Sequence, residues 1–382
     1  MLDLTTEQEA LKQRVRDLVE ERLKPLAEEI AEADVFPEKA YRLFAEAGFF
    51  KLALEREYGG QEAGATELAL VTSEIARVSG ACALIPFPTN AVIRIICATA
   101  DEDQKKRWLP QFGRGDKLGA FCLSEPNYGS DAGSLTCRAE RDGDDYLVSG
   151  TKAYVTLGQH ADYYLVFVRT GPGARTAGIS ALVVEKDRPG LKGGHVEKKM
   201  GLHGSVTQEM IFDRCRVPAA NLLLGEGLGW TVLTSAANPM RLWGAASMSL
   251  GIAQGAFELA VDHARTRTAS GHKISRYQSV QFMLAEMKAK LEATRSLIFR
   301  GAAMVDQGRA SAKEIEQFVS LAKFYASDTA MEICTDAVQI FGRLGVSRGH
   351  PIERMFRDAK AIQIFDGSNQ IQRMIVARHV LT

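Results

Sequence analysis

Three things are missing from this 382-residue chain: an excess of charge, a long apolar run and a paired-cysteine motif. Lys+Arg and Asp+Glu number 47 each, so no global field draws the protein to nucleic acid or to an anionic membrane. No apolar run approaches the roughly 18 residues of a membrane-spanning helix. The N-terminal MLDLTTEQEALKQR is polar from its start, so neither a membrane span nor a signal peptide is expected. Cys82, Cys97, Cys122, Cys137, Cys215 and Cys334 form no CxxC pair and no metal-ligand spacing. They read as reduced, mostly buried thiols in a cytoplasmic protein without a metal site.

What is present changes character twice along the chain. Leu11, Val15, Leu18, Leu23, Leu26 and Ile30 recur at helical steps, and Thr6 with Glu9 reads as the capping box that opens this segment. Further helices are expected over about 37–48, 65–79 and 101–112, the last capped by Asp101 or Asp103. IPFPTNAVI (85–93) reads as a shaped loop because of Pro86 and Pro88. From residue 119 the runs YLVSG, AYVTL, DYYLVFVRT, ISALVVE and EMIFDRCRVP are aromatic and β-branched, with turns such as DGDD, a Gly-rich 171–178 and KDRPG between them. From about 228 long apolar stripes return at helical spacing and suit an antiparallel four-helix bundle. The fold class expected is α+β: an N-terminal helical domain (1–118), a middle antiparallel β domain (119–227) and a C-terminal helical bundle (228–382).

Near the C-terminus stands IQIFDGSNQIQR (362–373), where Asp366 lies between a large apolar residue and a glycine. It is either a base in a dry pocket or a cap for a helix starting near Ser368. FCLSEPNYGSDAGSLT (121–136), YLVSGTKAYVTLG (146–158) and FRDAKAIQIFDGSNQIQRMIVAR (356–378) together resemble the acyl-CoA dehydrogenases over essentially the whole chain. That resemblance implies an FAD enzyme that oxidises the Cα–Cβ bond of an acyl-CoA thioester. Such chemistry needs an electron sink, a polarised thioester oxygen, a facing base and exclusion of water.

By the same resemblance, Phe121, Leu123 and Ser124 line the flavin ring, Ser130 turns toward the phosphates, and Tyr154 and Thr156 stand at a Trp-x-Thr position. Arg267, Gln278, Gln339 and Gly342 reach FAD across a subunit boundary, which implies a homo-oligomer, a tetramer in this family. Ser368 and Gln370 also touch FAD. Asn238 and Arg241 occupy the Asp-x-x-Arg positions that grip the CoA moiety, with Asn in place of the acid and Pro239 expected to kink the helix. His203 replaces an Arg and reads as a loop residue. In this fold the 85–93 region lines the acyl-pocket floor, so Thr89 or Asn90 is a candidate acyl contact. Asp366 stands where the family has Glu, and the residue before Arg241 is Met240, so the alternative base position is empty of acid. The backbone N–H of Asp366 is expected to bind the thioester oxygen, with Gly367 in the same substrate-binding turn. Asp reaches about 1–1.5 Å less far than Glu, a misplacement that matters to rate, so a branched or alicyclic acyl group is expected. The implied partner is an electron-transferring flavoprotein. Two alternatives stay open: altered chemistry on this fold, as in nitroalkane oxidases, or a catalytically impaired acyl-CoA-binding flavoprotein.

Overall fold

The computed structural model describes residues 4–173 and 175–381, so one residue of the 171–178 turn lies outside the described residues. The N-terminal layer is helical: Thr6–Leu18, Ala27–Ala33, Glu38–Glu46, Ala65–Ala76, Pro86–Thr99 and Glu102–Phe112. The first capping box is Thr5 with Gln8, not Thr6 with Glu9. Thr5 is extended (φ −67°, ψ 163°), which places its hydroxyl under the Gln8 N–H, while Thr6 is already helical. Asp101 with Gln104 makes the second box.

The 85–93 segment is not a loop. Pro86 opens the Pro86–Thr99 helix, and both prolines fall in its first turn, where backbone N–H groups have no intrahelical partner to lose. Thr89 and Asn90 are buried and bonded within the protein. The Thr89 hydroxyl accepts from Gly119 N at 3.0 Å. Asn90 accepts from Ala53 N at 2.9 Å and donates to the Phe49 carbonyl at 2.7 Å. Both side chains are consumed in fastening the helix to its neighbours. The stretch 80–99 is apolar and long enough to cross a membrane, but 83% of its most apolar window is buried inside the protein.

The middle layer is a seven-stranded sheet: β1 Gly119–Cys122, β2 Arg138–Asp142, β3 Asp145–Thr156, β4 Tyr163–Arg169, β5 Ile179–Glu185, β6 Leu191–Val196 and β7 Thr207–Pro218. Its order is β1-β4-β2-β3-β7-β6, with β5 also on β4. The hairpins are antiparallel, while β1 runs parallel to β4 and puts Phe121 opposite Leu165. Between Lys152 and Val155 the β3–β7 register slips by an extra residue. Such a bulge re-aims one side chain out of the pleat. Here it is Tyr154, in the left-handed region (φ 55°).

The same strand turns Lys152 inward, where it is fully buried. Its ammonium lies 2.9 Å from Glu125 Oε1 and donates to the Leu123 carbonyl at 3.1 Å. Glu125 also accepts from the backbone of Thr136 and Cys137 at 2.7 and 2.9 Å. One buried ion pair thus pins the 123–137 turn to β3.

In the C-terminal layer Ser247–Thr266, Gln278–Gln307, Ala312–Phe341 and Asn369–Leu381 build the bundle, with Pro351–Ile362 packed across it. Ala312–Phe341 is the central member and touches each of the others. The entry to this bundle is irregular: π-helical Val232–Ala237, a turn at Asn238 and Pro239, then π-helical Leu242–Ala246. Proline removes a donor from the ladder, and the chain takes up the mismatch as wider turns on either side. The expected kink is therefore a local unwinding, and it falls beside Arg241.

Replacing Glu125 by Ala leaves the Lys152 charge buried without its partner and is expected to cost ~3–5 kcal/mol. A fall in the urea-unfolding midpoint checks this, and an unchanged midpoint would show that the pair does not hold the turn.

Candidate active site

Asp366 lies in the turn between Pro351–Ile362 and Asn369–Leu381, in the left-handed conformation (φ 54°). Three donors converge on the backbone of this turn. Arg241 Nε donates to the Asp366 carbonyl at 2.8 Å. Lys323 Nζ donates to the Gly367 carbonyl at 2.9 Å. Gln372 Nε2 reaches both carbonyls, at 3.3 and 3.2 Å. The carboxylate itself is treated differently. Its Oδ2 is shut off from solvent and has no hydrogen-bond partner among the described residues.

The carboxylate does not act as a helix cap. A capping carboxylate accepts from the first turn of its helix, and Asp366 does not. The hydroxyl of Ser368 does so instead, accepting from Ile371 N at 3.4 Å. Burial pushes the Asp366 carboxyl above the usual range, while the nearby Arg241 and Lys323 charges pull it part of the way back. Burial likewise brings the Lys323 ammonium down to about 7 and lowers Arg241. A carboxylate with one dry, unbonded oxygen and a raised pKa suits proton abstraction. Two cations lie close enough to act on it, yet both spend their hydrogen bonds on carbonyls.

Gly367 is required by geometry as well as by position. Its φ is +82°, and a Cβ there would collide with the Gln372 amide nitrogen. Arg241 and Asn238 are brought together, the Asn238 Oδ1 accepting from Arg241 Nη1. Asn238 is buried and also donates to Glu316 Oε1 at 3.4 Å. Both side chains are thus engaged within the protein, at the back of the Asp366 turn. Met240, at the alternative base position, is buried among apolar groups.

The expected cofactor residues form two groups. Phe121, Leu123 and Ser124 lie half-buried beside the end of β3, joined to it by Ala153 N donating to the Ser124 carbonyl at 2.8 Å. Phe121 packs its ring 5.1 Å from Phe167. Thr156 is half-buried at the end of the same strand, and Ser130 is exposed. Tyr154, thrown out by the bulge, is 62% exposed. A large aromatic held in a strained conformation at a polar edge, with one face uncovered, fits a flat aromatic cofactor. The second group, Arg267, Gln278, Gln339 and Gly342, lies exposed on the helical layer, and Gln370 is exposed too. Gly342 adopts φ 60°, ψ −130°, a conformation open to glycine alone. His203 sits in a turn with its Nε2 2.7 Å from the Lys199 carbonyl, in keeping with a structural part.

The sequence reading missed Lys323, Glu316, Asn369 and Gln372. A lysine within the apolar stripe of VSLAKFYAS was a signal, because a fully buried lysine needs a partner. Its partner besides Gly367 is Asn369 Oδ1, at 2.9 Å.

Sequence models of three domains match the chain: the acyl-CoA dehydrogenase N-terminal domain over residues 5–116, the middle domain over 120–215 and the C-terminal domain over 227–381. A cyclohex-1-ene-1-carbonyl-CoA dehydrogenase of Geobacter metallireducens is 40% identical over 383 residues, covering 100% of both chains. Butyryl-CoA dehydrogenase of Megasphaera elsdenii superposes with a TM-score of 0.95 at 33% identity, covering 100% of both chains. A chain from a structure describing the electron-transferring flavoprotein of Acidaminococcus fermentans gives a TM-score of 0.95 at 36% identity, over 100% of this chain and 99% of that one.

Gly367→Ala should destabilise the protein by at least ~1–2 kcal/mol, the cost of a left-handed conformation for a residue with a Cβ. A thermal melt that matches the parent protein would show that the turn is free to relax.

Proposed function

Because this chain belongs to the acyl-CoA dehydrogenase family, we propose that Asp366 is the base of its reaction and that the acyl group it serves is alicyclic or branched. The protein is an FAD-dependent oxidoreductase acting on the Cα–Cβ bond of an acyl-CoA thioester. The observation that carries the assignment of the base is the buried, unpaired Oδ2 of Asp366 in a turn whose carbonyls are held by Arg241, Lys323 and Gln372.

Phe121, Leu123, Ser124, Ser130, Tyr154 and Thr156, with Ser368 and Gln370, would hold the FAD of the same subunit. When bound, FAD supplies the acceptor for hydride from Cβ. The chain's own residues do the rest. The Asp366 N–H donates to the thioester oxygen, which makes the α-proton acidic, and the carboxylate takes that proton. Burial of the carboxylate keeps water from competing and keeps its proton affinity high. Asn238 and Arg241 hold the turn from behind, a closer role than gripping CoA.

The acyl class rests on reach. Aspartate is one methylene shorter than glutamate, about 1–1.5 Å, and that distance is enough to handicap a linear substrate. A ring or branch at Cα restores contact by filling the gap. The 40% identity to a dehydrogenase named for a cyclohexene carbonyl substrate supports this.

Electrons pass on to an electron-transferring flavoprotein, which the likeness to the Acidaminococcus chain supports. The exposed Arg267, Gln278, Gln339 and Gly342, with exposed apolar Phe282, Val346 and Met374, support a homotetramer in which these residues meet a neighbouring subunit's FAD. Free cysteines, all buried except the half-buried Cys97, support a reducing cytoplasm.

Asp366→Asn should retain FAD and its yellow colour but lose bleaching by acyl-CoA under anaerobic mixing; full bleaching would remove Asp366 from the mechanism. In a panel of linear, branched and cyclic acyl-CoAs, the cyclic or branched members should bleach fastest, and preference for a linear chain would overturn the acyl class. Peroxide formed from nitroalkanes and oxygen would instead mark altered chemistry on this fold.

The raised Asp366 pKa gives two pH signatures. Activity should fall with decreasing pH at values above the usual carboxylate range, because the base is lost by protonation. The folded state also binds this proton more tightly than the unfolded one, so ionisation costs stability above the unfolded pKa. Asp366→Asn should therefore melt higher than the parent at neutral pH, and the gap should close as pH falls below the ordinary carboxylate range. Identical melting at all pH values would refute the burial argument.

A further inference from the structure

Arg241 lies within electrostatic range of two carboxylates, Asp366 and Glu316, but its donors go to neutral oxygens. Nε is on the Asp366 carbonyl at 2.8 Å, while Nη1 is on the Asn238 amide oxygen. Asn238 is neutral, so it can hold a guanidinium but cannot balance its charge. Behind Asn238 stands Glu316, whose Oε1 accepts from Asn238 Nδ2 at 3.4 Å and whose Oε2 lies 2.9 Å from His379 Nε2. Glu316 and Lys323 share the 312–341 helix at a separation of two turns. That helix therefore presents a negative charge behind Arg241 and a positive one at the Gly367 carbonyl.

We propose that Glu316 is a positioning residue for the base: it supplies the charge that Asn238 lacks and so keeps the Arg241 guanidinium turned away from the Asp366 carboxylate. The inference rests on the reading of Asp366 as the base. Its physical content is a competition. A guanidinium out of water seeks a carboxylate, and with Glu316 gone the nearest one left is Asp366. Arg–carboxylate pairs form readily in bidentate geometry. Such a pair would occupy the oxygen that now has no partner and reduce its basicity. The charged groups facing the cluster are Arg241 from the 232–246 segment, Glu316 and Lys323 from the central helix, with Asp328 beyond Lys323, and His379 from the C-terminal helix.

The experiment uses the FAD-loaded enzyme and its best acyl-CoA. Glu316→Ala, and Glu316→Gln as the variant of unchanged shape, should lower kcat/KM about tenfold through kcat, a loss typical of uncoupling directly linked polar groups. The acid limb of the pH profile should move to lower pH in both. Asn238→Asp placed in the Glu316→Ala background should restore kcat/KM to within about threefold, because the charge returns one residue closer to Arg241. His379→Gln should stay within about twofold of the parent, since docking of the C-terminal helix is not the route of the effect. A readout apart from turnover is thermal stability: the gain from Asp366→Asn at neutral pH should shrink when Glu316 is absent. Parent-like kinetics in both Glu316 variants, failure of Asn238→Asp to rescue, or a His379→Gln loss equal to that of Glu316→Ala would each overturn the inference. Asp366→Asn run in parallel separates the two levels. If that variant still turns over, the base assignment fails and this inference with it. If it is inactive while the Glu316 variants match the parent, only the positioning role fails.

Discussion

One carboxylate oxygen kept dry and unbonded within range of two cations is the constraint on which the Asp366 turn depends. Left to electrostatics alone, Arg241 or Lys323 would pair with Asp366 and spend its basicity. The turn prevents this by offering better-placed acceptors: the carbonyls of Asp366 and Gly367 take the donors of Arg241, Lys323 and Gln372. The left-handed conformations at both residues aim those carbonyls at the cations. Strain in the backbone and tension among charges are thus two sides of one arrangement.

The other functional positions also lie where regular structure is interrupted. A bulge in β3 presents Tyr154, and π-helical stretches around Pro239 bring Arg241 to the Asp366 turn. Each irregularity is braced by something rigid. The buried Lys152–Glu125 pair fastens the strand side, and the central 312–341 helix fastens the turn through Lys323. A site assembled from two separate layers needs such bracing, because no single element contains enough of it to fix the geometry.

Much of the layer order was legible because hydrophobic period and turn residues are local signals. Apolar stripes at helical spacing mark the two helical layers, and β-branched runs between glycine-rich turns mark the sheet. The errors were local as well. Two prolines in IPFPTN read as a loop because proline breaks helices, yet in the first turn of Pro86–Thr99 the missing N–H costs nothing. Thr6 with Glu9 and Thr5 with Gln8 are equally good capping boxes on paper. Only the extended backbone at Thr5 distinguishes them.

Position in the chain was enough to single out Asp366, since the motif on both sides fixes it. It was also enough to show that no acid precedes Arg241 and that Asn stands at residue 238. Whether Asp366 caps a helix or lies buried and unbonded was a matter for the tertiary structure. Capping depends on where one oxygen points, and burial depends on elements 44 to 125 residues distant in sequence. Glu316 and Lys323 belong to the same category. Their helix looks amphipathic and ordinary until packing turns Lys323 toward the Gly367 carbonyl and Glu316 toward Asn238, contacts that no local pattern reveals.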